Sequence, residues 1–300
     1  MVMETKSKEL DQQVTGEAWE AINASLPNMG VPLDVELPLI TQYPDDESSL
    51  APFAYPNDYV HYYNSRAFFG YGDFERFYRP IAPYTVVSPD RCYTLYALAF
   101  QALNLTEGFW ECGVYRGGTA MMLAALIAER NWTKAVKLHL FDTFEGMPQT
   151  DSEKDHHQAG DFASTSLESV RKRVGYPTVA SFHKGLIPQT FRGMEGAKIA
   201  FAHIDVDIYK SVRDCCEFIY PRVVPGGVMV FDDYGFKSCP GAKQAVDDFF
   251  RDKAEEPLVL PTAQAIIFKQ GIGLRASSRH LLYNLGRAMK RRALGKFRRS

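Results

Sequence analysis

Four apolar runs, at residues 108–114, 137–142, 198–205 and 227–232, each close on glycines or acids, and helical patterns separate them. Continuous apolar strands alternating with helices require a parallel sheet covered on both faces, which places the chain in the α/β class. Helices are predicted over 118–130, 165–174, 209–220 and 241–251, and a short strand over 181–185. Two last β runs, 258–260 and 263–269, lie about a turn apart and predict a hairpin.

The flanks differ from this core. Net charge is −2, yet residues 1–60 carry eleven acids against two bases, and residues 271–300 carry nine bases and no acid. Prolines punctuate the first 55 residues, and residues 53–84 hold twelve aromatics, a pattern of core packing or of a lid over an acceptor. The chain therefore divides into an acidic, aromatic-rich segment (1–84), an α/β domain (85–270) and a basic tail (271–300). In the tail, Leu281, Leu282, Leu285, Met289, Ala293, Leu294 and Phe297 recur near helical spacing among bases. That suits a solvated basic helix or frayed end, or a segment lying on an anionic membrane or nucleic acid. No run approaches the roughly 18–20 apolar residues of a membrane span, and no apolar leader is visible, so a cytoplasmic enzyme is expected, with the tail as a candidate for peripheral membrane contact. The five cysteines lack metal-ligand spacing and read as reduced, mostly buried thiols.

Ligands of open α/β sheets bind at the carboxyl ends of strands. The first run ends in Glu111, Cys112, Gly113, Val114, Tyr115, Arg116, Gly117 and Gly118, where glycines permit a tight turn before a helix N-terminus. Tyr115 stands at the second glycine of a dinucleotide fingerprint, so that fingerprint is absent. Asp142 ends the second run, placed to accept ribose hydroxyls, and a nucleoside-containing ligand follows. Asp205 and Asp207 close the third run, and Asp232 and Asp233 the fourth. Two residues apart on an extended strand, Asp205 and Asp207 would share one side. Four carboxylates at neighbouring strand tips need a cation, and hard oxygen donors favour Mg²⁺, Mn²⁺ or Ca²⁺. His203, beside the acids, reads as a core histidine facing away from them or at the buried end; His156, His157 and His183 have no assigned partner.

Glu111-Cys-Gly-Val-Tyr-Arg-Gly-Gly, Asp142-Thr-Phe-Glu-Gly-Met-Pro, Gly160-Asp-Phe, His203-Ile-Asp-Val-Asp-Ile-Tyr and Phe231-Asp-Asp-Tyr-Gly together resemble the macrocin O-methyltransferase family over about residues 85–270. The resemblance implies a class I methyltransferase, Rossmann-like sheet of seven strands, the last antiparallel, with helices on both faces. It implies S-adenosyl-L-methionine and Mg²⁺ as cofactors and a sugar or glycosylated natural product as acceptor. Carried over by motif, 111–118 would hold the methionine part and Asp142 the ribose. Residues 160–169, Ser169 included, would close over the cofactor, and 185–189, with Gly185 and Ile187, would flank adenine. Asp205, Asp232 and Asp233 would bind metal, with Asp207 as general base. A catechol-type O-methyltransferase, a metal-dependent nucleotide-sugar glycosyltransferase and a non-catalytic binding module are the rival readings. The partners expected are a small-molecule or glycan acceptor and no specific nucleic acid; a membrane surface and a second copy of the chain are further candidates.

Overall fold

The computed structural model describes residues 73–130 and 136–271; the acidic start, most of the aromatic-rich segment and the tail beyond Gly271 lie outside them. The described elements are α1 (Phe74–Tyr78), α2 (Pro89–Ala102), β1 (Gly108–Cys112), α3 (Gly118–Arg130), β2 (Leu138–Asp142), α4 (Leu167–Val174), β3 (Ala180–Lys184), β4 (Ile199–Ile204), α5 (Tyr209–Ile219), β5 (Val223–Phe231), α6 (Pro240–Phe250), β6 (Leu258–Val259) and β7 (Ala265–Phe268). They build a seven-stranded sheet in the order β3-β2-β1-β4-β5-β7-β6. Strands β1 to β5 are parallel, and β7 runs antiparallel between β5 and β6. The expected hairpin is therefore present. Strand β5 begins at Val223, four residues before the expected start at 227, with a register shift against β4 ahead of Val228.

Strand alternation divides the core into two layers. Phe109, Leu138, Leu140, Phe201, Val228 and Val230 face one layer, and Trp110, Phe141, Ala202, Ile204, Met229 and Phe231 the other. Helix α3 reads Gly-Thr-Ala-Met-Met-Leu-Ala-Ala-Leu-Ile-Ala-Glu-Arg; strong helix formers put Ala120, Leu123, Ala124 and Ile127 on one buried stripe of the first layer. On the opposite layer α5 buries Val212, Cys215, Cys216 and Ile219 at the same spacing. Helix α4 starts where Ser166 Oγ accepts the Ser169 N–H and stops at Gly175, whose φ of 65° few other residues adopt without strain. Phe74, Phe77, Tyr78 and Ile81 are buried in the first layer, with Phe74 edge-on to Tyr93 of α2 at 5.2 Å. The described end of the aromatic-rich segment is thus core packing. Among the described residues no helix is long and apolar enough to cross a membrane.

His139 of β2 is largely enclosed between strands, its Nδ1 3.1 Å from Nε2 of His183. Burial first, and His183 second, lower the His139 pKa to about 4. A histidine depressed in the folded state contributes stability that is complete above its unfolded pKa of about 6.5 and is lost as pH falls towards 4. Allowing for partial solvent screening, we expect the wild type to lose about 1–2 kcal/mol more than His139→Gln between pH 7 and pH 5. Urea unfolding at the two pH values measures this, and equal losses would refute it.

Candidate active site

The strand order reverses between β1 and β4, and there the carboxyl ends part into a crevice. It holds a cavity of about 340 Å³, within the range of small-molecule sites. Gly113 (φ 85°) makes the turn after β1; a methyl group there would lie 1.7 Å from the Asp205 carbonyl oxygen. Only glycine lets the β1 turn pass so close to the tip of β4. Asp142 Oδ2 then accepts the Val114 and Tyr115 N–H groups at 2.6 and 2.9 Å, and Oδ1 accepts the Phe144 N–H at 2.6 Å. This carboxylate fixes the glycine turn as well as lining the cavity.

A loop from 143 to 166 covers the turn. Arg116 donates to Ser164 Oγ at 2.9 Å, Thr165 Oγ1 donates to the Tyr115 carbonyl, and Phe162 meets the Tyr115 ring edge-on at 5.4 Å. Asp155 Oδ1 accepts the Tyr209 N–H at 2.8 Å, tying the same loop to the first turn of α5.

At the other end of the cavity, Asp205, Asp207 and Asp233 each bring a carboxylate oxygen within 4.8 Å of the others. They do not converge by strand alternation, as the sequence suggested. Strand β4 ends at Ile204, and Asp207 turns in a left-handed conformation (φ 55°) while its N–H donates to Asp233 Oδ2 at 3.0 Å. Burial, and then the neighbouring carboxylates, push Asp205 and Asp233 well above the usual carboxylate range. Burial also raises Asp207, against the opposing effects of His157 and Cys239.

Asp232 is held differently. Gln264 Nε2 donates to its Oδ1 at 2.8 Å, Arg91 of α2 pairs with its Oδ2, and His203 Nε2 stands 3.6 Å away. Burial works to raise Asp232, but His203, Arg91 and Gln264 outweigh it and keep the group below its ordinary value. His203 is the fully buried core histidine expected, though it meets the acids rather than facing away, within 4.8 Å of Asp205 and Asp232; its Nδ1 lies 2.8 Å from Glu111 Oε1. Burial opposes its charge, yet the neighbouring Asp232 and Glu111 carboxylates raise its pKa to about 10.

Of the residues singled out from sequence, Gly113, Tyr115, Asp142, Gly185, Ile187, Asp205, Asp207, Asp232 and Asp233 line the cavity together. Glu111 lies behind it against His203, and Cys112 belongs to the second core layer. Gly117 abuts Val170, Gly118 abuts Thr85, and the Ser169 N–H donates to the Ser166 cap of α4, so these three and Arg116 shape the surrounding loops. All five cysteines are free and buried. Arg91, Gln264 and His157 meet the acids from distant segments with no role assigned from sequence, and Cys239, expected only as a buried thiol, joins them. His183 stacks on Phe141 at 4.6 Å, and His156 is exposed.

A parallel sheet with one antiparallel insertion, carrying a glycine turn and an acid after its first two strands, is the class I methyltransferase fold. The solved O-methyltransferase NovP superposes with a TM-score of 0.56 at 21% identity, covering 63% of this chain and 83% of its own. The calicheamicin methyltransferase CalS11 gives 0.54 at 17%, covering 76% and 99%. Residues 76–269 match the macrocin-O-methyltransferase (TylF) family, and the chain belongs to that family. It is 31% identical over 150 residues to an 8-demethyl-8-(2,3-dimethoxy-alpha-L-rhamnosyl)-tetracenomycin-C 4'-O-methyltransferase of Streptomyces olivaceus, covering 46% of this chain and 56% of that one. To the demethyldecarbamoylnovobiocin O-methyltransferase of Streptomyces niveus it is 27% identical, covering 49% and 59%. The chain thus spans a little over half the length of these two curated relatives.

The turn at Gly113 generates the prediction here. Gly113→Ala forces a side chain into a left-handed conformation and onto the Asp205 carbonyl, and we expect it to lower stability by more than about 2 kcal/mol. Urea unfolding with unchanged midpoint would show that the turn tolerates a side chain.

Proposed function

We propose that the chain is an S-adenosylmethionine-dependent O-methyltransferase acting on a hydroxyl of a sugar or glycosylated natural product, with Asp207 as general base. One observation carries this reading: the glycine turn and the carboxylate cluster line the same cavity. One curated relative is named as the 4'-O-methyltransferase of a rhamnosyl-tetracenomycin and another as a demethyldecarbamoylnovobiocin O-methyltransferase, which favours this acceptor class over a catechol or a glycosyl donor.

The residues fit a hard divalent cation. Asp205 and Asp233 are carboxylates pushed up first by burial and then by neighbouring carboxylates, a donor set that a cation would relieve. Asp232 would join them once Arg91 releases its Oδ2. Such a cation, when bound, would acidify the acceptor hydroxyl.

The chain's own residues supply the rest. Gly113, Val114 and Tyr115, fixed by Asp142, would seat the methionine end, and Gly185 and Ile187 would border adenine. Asp207 lines the cavity within the acid cluster. It would take the hydroxyl proton as that oxygen attacks the methyl carbon, S-adenosylhomocysteine being the leaving product. Phe162 and the loop around it would exclude water, and alignment would supply much of the acceleration.

Asp207→Asn keeps the shape and loses the base. Methyl transfer to a glycoside acceptor should fall about 10²–10⁴-fold, with S-adenosylmethionine affinity changed little. Retained turnover would remove Asp207 from the base role. EDTA should stop transfer and Mg²⁺ restore it, whereas full activity in EDTA would dismiss the cation.

A further inference from the structure

Beside the acid cluster stands a second set of donors with different chemistry. His157 Nε2, Cys239 Sγ and one Asp207 oxygen meet at the cavity wall: Sγ to Oδ1 is 3.5 Å, Sγ to Nε2 is 3.7 Å, and Nε2 to Oδ1 is 3.7 Å. They come from three separate segments, the covering loop, the turn after β4 and the residue before α6. Bond lengths of about 2.0–2.3 Å from Zn²⁺ to nitrogen, oxygen and sulfur give tetrahedral ligand separations of roughly 3.3–3.7 Å. The three observed distances match those edges.

The orientation of the histidine is fixed as well. His157 Nδ1 lies 3.0 Å from Asp161 Oδ2, so Nδ1–H donates to that carboxylate and the Nε2 lone pair faces Cys239 and Asp207. A carboxylate behind a ligating imidazole is the arrangement that metal-binding histidines ordinarily have. Asp155 anchors this loop to α5, which holds His157 over Asp207. All three donors border the cavity, leaving the fourth tetrahedral position to water or a ligand.

We propose that His157, Asp207 and Cys239 form a site for a thiophilic divalent transition metal, Zn²⁺ or Co²⁺, distinct in chemistry from the oxygen-only cluster of Asp205 and Asp233. A thiolate and an imidazole exclude Mg²⁺ and select Zn²⁺ or Co²⁺. Binding forms the metal–sulfur bond and releases the Cys239 proton to solvent. The metal would occupy the Asp207 oxygen and so block methyl transfer; that consequence rests on the function proposed above, whereas binding itself does not.

Titration of the full chain with Co²⁺ in excess Mg²⁺, followed by absorption, tests the site. A thiolate-to-cobalt band in the near ultraviolet should appear at one equivalent and be displaced by Zn²⁺. Cys239→Ser should abolish it, and His157→Gln should weaken binding. Asp161→Asn, at the surface, should keep the band while lowering affinity about 10–100-fold. Circular dichroism and S-adenosylmethionine binding check that each variant is folded. No band in the folded wild type, or the same band in folded Cys239→Ser, overturns the proposal whether or not the protein transfers methyl groups.

Discussion

Four carboxylates brought together at the tips of two neighbouring strands are the constraint around which this molecule is built. Left alone in a largely buried crevice, Asp205, Asp207, Asp232 and Asp233 would repel one another and take up protons. The fold answers with two cations of its own. His203, on the middle strand of the sheet, is charged between Glu111 and Asp232, and Arg91 arrives from α2 to pair with Asp232. The four acids are thereby divided into one kept ionised and others left short of positive charge. That imbalance is the physical basis for expecting a divalent cation.

The buried charges also join parts that sequence lists separately. Glu111 on β1 pairs across the sheet with His203 on β4, and Asp232 directly follows the end of β5, so the glycine turn and the acid cluster rest on one network. Asp142 extends it by fixing the turn itself. Asp207 stands apart from this network, in a left-handed turn, with its oxygen open to the cavity and its neighbours from other segments. That freedom lets His157 and Cys239 reach it.

Much of this was legible in the chain. Alternating apolar strands and helices specified the sheet, and the hairpin at 258–269 specified its antiparallel end, because burial on both faces leaves so strong a pattern. The cavity-lining residues Gly113, Asp142, Asp205 and Asp233 were legible because they sit at strand ends. Positive φ at Asp207 was hidden, since no neighbouring residue demands it; an Asp233 side chain far away in sequence does. Arg91, Gln264 and Cys239 were invisible for the same reason: each acts across tens of residues or more, through contacts that only the folded chain creates. The family resemblance implies a cofactor contact for Glu111, whereas strand alternation turns its side chain to His203.

The central claim is that the crevice between β1 and β4 is an S-adenosylmethionine site. Isothermal titration of S-adenosylmethionine into the full chain tests it most directly. The account predicts one equivalent bound, competed by S-adenosylhomocysteine and lost in Asp142→Ala, which removes both the carboxylate in the cavity and the clamp on its turn. Absence of binding by the folded protein, or binding indifferent to that substitution, would contradict it.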